Sequence, residues 1–121
     1  MNYNEIKTIL LQIHDPAERL EFVMDLGRQL VPIPENVRST EIKGCASHVA
    51  IYRDENNNYY GESDSVLVRG IVVLLLSMAA GKSPAQLRDE NLADEFESLH
   101  LHLGTGRMNG VNGVIEFLTK E

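Results

Sequence analysis

The chain has 121 residues, and its 11 Lys and Arg against 18 Asp and Glu leave a net charge of -7. That length predicts one domain over residues 1–121, large enough to bury a core without disulfide or metal staples, and 43% hydrophobic with 24% charged residues excludes a wholly disordered chain. An acidic surface repels a phosphate backbone, so nucleic acid is not an expected partner.

The opening Met1-Asn2-Tyr3-Asn4-Glu5-Ile6-Lys7 lacks the basic start and apolar stretch of a signal peptide, and Cys45 is the sole cysteine. Both features predict a reducing, cytoplasmic setting. Ile6, Ile9, Leu10 and Ile13 recur at helical spacing; Asp15-Pro16-Ala17-Glu18 then offers a cap, a first-turn proline and a capping-box acid before Leu20, Val23, Met24 and Leu26. Two successive helices are expected, the second ending at Gly27 or running on through Gln29-Leu30-Val31 until Pro32 and Pro34 forbid it. From Thr40 the pattern shifts to short strand-like runs, Thr40–Lys43, His48–Arg53 and Tyr59–Glu62, parted by Gly44 and by a turn over Asp54–Asn58. These make an antiparallel three-stranded meander whose apolar side needs helices to cover it.

Ser63 or Asp64 is a candidate cap for a helix starting near Ser65 and ending at Gly81. Its apolar run, Ile71–Ala80, falls well short of the ~20 residues that cross a bilayer, so no membrane association is expected. Arg69 within it must snorkel to the surface or pair with an acid. Ser83-Pro84-Ala85-Gln86 repeats the cap and proline signals for a short helix, another is expected around Ala93–Leu99, and Thr105 or Gly106 opens a last one toward Lys120. The fold class is therefore α+β: N-terminal helices, a β-meander and C-terminal helices.

Most motifs that look chemical fail on spacing. Gly81-Lys82-Ser83 has Leu76 where a phosphate-binding loop needs its first glycine, and Gly104-Thr105-Gly106-Arg107-Met108-Asn109-Gly110 has Asn109 at the third glycine of a dinucleotide fingerprint, with no strand before it. The glycines there permit close approach by a partner's backbone, with Arg107 projecting from the first helical turn. His14, His48, His100, His102 and Cys45 contain no pair at zinc-finger spacing, so no metal and no cofactor is assigned. With no second thiol, Cys45 is left with three uses: nucleophile, sulfur carrier or core packing. A glycine before it, small residues after it and His48 nearby describe an exposed bend, with His48 a candidate base.

Ile42-Lys43-Gly44-Cys45-Ala46-Ser47-His48-Val49, then Gly61-Glu62-Ser63-Asp64-Ser65-Val66-Leu67-Val68-Arg69-Gly70, then Gly81-Lys82-Ser83-Pro84 and Arg107-Met108-Asn109-Gly110, resemble in order and spacing the SufE family of sulfur acceptor proteins. The resemblance covers nearly the whole chain. It implies a SufE/NifU-like fold and a partner, a pyridoxal-phosphate cysteine desulfurase, whose persulfide sulfur passes to Cys45 and on to an iron-sulfur scaffold. It further implies that Gly44, Ala46, Ser47 and His48 shape the cysteine loop, and that Asp64, Arg69, Arg107 and Asn109 serve the loop or the docking surface. A monomer or weak homodimer is expected. Ala50 stands where the family typically carries tryptophan, and Gly104-Thr105-Gly106 replaces its usual serine-containing approach to the late arginine. The alternative reading is a non-catalytic module that binds a desulfurase and alters its activity without accepting sulfur. A cluster scaffold is a third, weakened because one cysteine cannot build a multi-thiolate site.

Overall fold

Every residue from Gly70 to Leu76 is buried, which means the helix that carries them must be covered on all sides. In the computed structural model, which describes residues 1–120, that helix is α3 (Val66–Ala79). Before it come α1 (Tyr3–Gln12), α2 (Pro16–Leu26), a short 3-10 turn (Gly27–Gln29), and strands β1 (Thr40–Glu41), β2 (Val49–Arg53) and β3 (Tyr59–Ser63). After it come α4 (Pro84–Arg88), α5 (Leu92–Glu97) and α6 (Thr105–Thr119). Helices α1 and α2, strand β3 and helix α6 all pack on α3, forming one core from Ile6 to Leu118. The α+β class read from the sequence is the one observed.

The sheet is antiparallel in the order β1-β2-β3. Glu41, Ala50 and Glu62 form one cross-strand row, and Tyr52 pairs with Tyr60, their rings 5.7 Å apart. Side chains alternate along a strand, so Val49 and Ile51 enter the core while Ala50, Tyr52 and the two glutamates share the opposite face. Beyond β2, the Asp54 carboxylate accepts from the backbone N–H groups of Asn56 (2.9 Å) and Asn58 (3.0 Å), which closes the expected hairpin turn.

Several boundaries differ from the sequence reading. Helix α2 stops at Leu26 and the chain continues as a 3-10 turn from Gly27, which lies close against α3: a Cβ there would stand 3.1 Å from that of Arg69. Ile42, Lys43 and His48 lie outside the strands, where Gly44 at φ +86° turns the chain away from the ladder. The cap of α3 is Ser65, whose hydroxyl accepts from the Val68 N–H (3.3 Å), rather than Ser63 or Asp64. Asp15 caps Ala17 without Glu18 closing a box, while Ser83 and Gln86 do form one. The α5 helix starts at Leu92, earlier than expected, because Asn91 caps it. Helix α1 is tied to α5 by Glu95, which accepts from Lys7 (2.7 Å) and from the Tyr3 hydroxyl. Among the described residues no helix is long and apolar enough to cross a membrane.

The tightest helix contact is at Gly70, where a Cβ would stand 1.8 Å from the Val23 carbonyl oxygen. Nothing but backbone fits there. Gly70→Ala should therefore cost about 2 kcal/mol or more, in the range of overpacking a rigid core, whereas Gly27→Ala, with softer contacts, should cost less. Urea unfolding midpoints measure both, and an unchanged midpoint for Gly70→Ala would contradict the contact.

Candidate functional site

The cysteine loop springs from a closed stem. Ile42 donates its backbone N–H to the Val49 carbonyl (2.9 Å), the last link before the chain opens into residues 43–48. On the outgoing side the Asp64 carboxylate accepts the His48 backbone N–H at 3.2 Å. Asp64 thus fastens the loop rather than capping α3.

The loop lies on a side-chain-free face of α6. A Cβ on Gly110 would stand 2.7 Å from Cys45 Sγ, and one on Gly113 would stand 2.8 Å from Ile42 Cγ2 and 2.9 Å from the Lys43 carbonyl oxygen. These positions are three apart and share a helix face. Each glycine costs the helix about 1 kcal/mol relative to alanine, so the seat for the loop is what they provide. At Gly44 the requirement is conformational instead: its positive φ demands glycine, while a Cβ would meet only an ordinary 3.7 Å contact with the Asn109 carbonyl oxygen.

Between the loop, α3 and α6 lies a cavity of about 320 Å³. Cys45, Ala46 and Ser47 roof it, Val68, Ile71, Val72 and Leu75 form the α3 wall, and Leu103, Arg107, Val111 and Val114 close the far side. Arg107 is its only charged lining residue and, among the described residues, makes no ion pair or hydrogen bond through its side chain. Cys45 is half-buried rather than fully exposed, and burial pushes its thiol above the ordinary range. A thiol that burial holds toward its protonated form therefore rests against an apolar hollow whose lining also includes Arg107.

His48 does not act as a base toward this thiol. Its Nε2 lies 3.2 Å from Glu62 Oε1 and its Nδ1 3.8 Å from Glu41 Oε1, and the Glu62 hydrogen bond chiefly raises its pKa, against an opposing effect of desolvation. Gly44, Ala46 and Ser47 lie in the loop as expected, and Asn109 abuts it through its backbone. Arg69 does not join them. It is exposed on α3 near Gly27 and makes no ion pair among the described residues. His100 and His102, both at positive φ, bring their rings to 6.1 Å, but no group of three metal-binding His, Cys, Asp or Glu side chains occurs among the described residues. Sequence reasoning missed Gly110 and Gly113 as the seat of the thiol. The glycines of this helix do admit a close approach, but by the chain's own loop; their recurrence in an otherwise helical segment was the available signal.

Comparison with known proteins fits this geometry. The family model SufE, described as an Fe-S metabolism associated domain, matches residues 4–121. The chain belongs to the SufE family. It is 31% identical to an uncharacterized SufE-like protein of Rhizobium meliloti over 115 residues, covering 86% of this chain and 82% of the relative. It is 29% identical to the sulfur acceptor protein CsdE of Escherichia coli over 99 residues, covering 75% of this chain and 67% of that protein. The solution structure of a hypothetical protein from Thermus thermophilus superposes with a TM-score of 0.75 at 13% identity, over 97% of this chain and 90% of the other, and supports the fold alone.

Two consequences of the thiol's seat are measurable. Thiolate absorbance during a pH titration should give a midpoint above the ~8.5 of free cysteine, because burial disfavours the anion. Gly110→Ala, which pushes Sγ off the helix, should move that midpoint back toward ~8.5 and speed alkylation. A wild-type midpoint at or below the free value would contradict the burial argument.

Proposed function

We propose that this protein is a sulfur acceptor and carrier: Cys45 takes sulfur from the persulfide of a cysteine desulfurase, stimulates that enzyme by relieving it of the sulfur, and hands it on to iron-sulfur cluster assembly. The observation that carries the reading is the setting of Cys45, a solitary half-buried thiol on a glycine-hinged loop over an apolar cavity that Arg107 lines. The relative named as a sulfur acceptor lends it support.

The chemistry is thiol-disulfide exchange carried out on a persulfide. Cys45, as thiolate, attacks the outer sulfur of the donor persulfide, and a new S–S bond forms on Cys45. The donor's own S–S bond breaks, its electron pair leaves on the desulfurase thiolate, and that thiolate takes up a proton equivalent to the one Cys45 lost. No external oxidant or reductant is required.

Each feature of the site has a part in this scheme. Docking must move Cys45 out of its apolar seat, and the positive φ of Gly44 supplies a hinge. A guanidinium near the reacting sulfur favours thiolate over thiol, which is the role given to Arg107. Asn109, packed against Gly44, and Asp64, fastened to the loop exit, hold the two stems, with Ala46 and Ser47 between them small enough to follow the thiol into a recessed partner site. After transfer, the cavity can shelter the added sulfur from small reductants. We assign this role to one domain, residues 1–121, working as a monomer or weak homodimer in the reducing cytoplasm, where a lone thiol stays free. Arg69, away from the cavity, is given no part in the transfer.

Incubation with a cysteine desulfurase and cysteine should add one reducible sulfur to the intact mass of the wild type and none to Cys45→Ser. Arg107→Ala should slow the gain roughly tenfold, the scale of losing one charge-assisted hydrogen bond, while Arg69→Ala should leave it unchanged. Sulfur gained by Cys45→Ser, or none gained by wild type, would overturn the carrier assignment. If Cys45→Ser keeps full stimulation of the desulfurase, the protein is a non-catalytic regulatory module instead.

A further inference from the structure

The loop that bears Cys45 is fastened at its exit by more than the backbone. His48 is the last residue before β2 and, by strand alternation, faces the same side as Ala50 two positions on. Ala50 lies in the row Glu41-Ala50-Glu62, so the imidazole stands ahead of that row with one carboxylate on each side. Its Nε2 meets Glu62 of β3 at 3.2 Å and its Nδ1 approaches Glu41 of β1 at 3.8 Å. Strands β1 and β3 do not pair with each other, so this one side chain spans both neighbours of β2 at the point where the loop re-enters the sheet.

The row also fixes the size of the residue between the carboxylates. Ala50 is only 2% exposed although it sits on the face away from the core, so a bulkier side chain there would have to displace its neighbours.

We propose that His48 is a proton-dependent positioning residue: its imidazolium, clasped between Glu62 and Glu41, pins the exit of the cysteine loop and helps hold Cys45 on α6, and loss of its proton loosens the loop so that the seated thiol opens to solvent more often. A neutral imidazole can still hydrogen-bond to one carboxylate, but only the cation attracts both at once. The charged groups acting on the ring are Glu62 from β3, Glu41 from β1 and Asp64 just beyond β3. All are acids, so the folded protein favours the protonated ring, with the Glu62 hydrogen bond the largest cause. The direction follows from linkage. A histidine whose folded pKa is raised contributes its full clasp below the unfolded value of ~6.5 and loses it as pH rises through the higher folded value. Loosening therefore occurs on the alkaline side, where more Cys45 is also thiolate.

The proposal rests on the sulfur-acceptor reading for its purpose, but its test uses neither desulfurase nor sulfur, so the two can fail separately. Two quantities are followed from acid to mildly alkaline pH on the whole protein: the protection of the His48 backbone amide against hydrogen exchange, corrected for its intrinsic pH dependence, and the alkylation rate of Cys45 per unit of thiolate. In wild type, protection should fall and the corrected alkylation rate rise by roughly 3- to 10-fold through the imidazole titration, the scale of two exposed ion pairs. His48→Gln keeps the size and one hydrogen bond but not the charge, and should be pH-independent at the loosened level. Glu62→Gln should keep a transition, moved to lower pH. Both substituted residues are exposed, so folding should survive, as circular dichroism can check. If His48→Gln tracks wild type in protection, or if protection changes with no change in corrected alkylation, the proposal is overturned.

Discussion

Burial of the central turns of α3, Gly70 to Leu76, on every side is the constraint on which the rest of the molecule depends. A helix apolar around its whole circumference is stable in water only inside a shell, and here the shell consists of α1 and α2, the sheet and α6. The closeness of that shell is set by glycine. Because Gly70 admits the Val23 carbonyl directly, α2 lies against α3 with no side chain between them at that point. The same helix then offers Val68, Ile71, Val72 and Leu75 as one wall of the cavity, so the element that organises the core also supplies the apolar surface under Cys45.

The site inherits its geometry from two different uses of glycine. Gly44 permits a backbone angle that turns the chain off β1, and Gly110 and Gly113 permit an approach that a β-carbon would block. Either without the other would leave no seat: a turned loop with nothing to lie on, or a bare helix face with no loop across it. The result is a sulfur held by shape rather than by hydrogen bonds, and a contact without hydrogen bonds is one that docking can break without leaving polar groups unsatisfied.

Much of this architecture was legible in the sequence. Ser83 and Gln86, and the Pro16 and Pro84 first turns, announce helix starts by local chemistry, and local chemistry is what a sequence displays. The bend at Gly44-Cys45 and the Asp54–Asn58 turn were equally plain. What escaped was long-range. Asp64 sits where a helix cap belongs, but Ser65 takes that role and leaves Asp64 for the His48 amide sixteen residues back, a pairing that strand register creates and no window of sequence contains. His48 is close to Cys45 in the chain, which invites a nucleophile–base pair. Strand alternation instead turns its ring toward Glu41 and Glu62, residues that become neighbours only when the meander forms. Arg69 looked like part of the site because it lies within a motif, yet its side chain leaves α3 away from the cavity.

A thiol whose pKa is raised is at rest a poor nucleophile, since at neutral pH less of it is thiolate than in free cysteine. For a carrier the resting state and the reacting state need not be the same. Nucleophilicity of a thiolate falls as its pKa falls, so a sulfur that is mostly protonated at rest is intrinsically the stronger attacker once its proton is gone. The apolar seat then separates two requirements that conflict in a permanently activated cysteine. Protonated on Gly110, the sulfur is slow toward small oxidants. Lifted into water or against a cation, it loses the desolvation that kept it protonated. Arg107, which makes no side-chain ion pair or hydrogen bond among the described residues, lines the same cavity, yet burial alone sets the resting thiol, so a cation can favour the thiolate only once the sulfur has left its apolar seat.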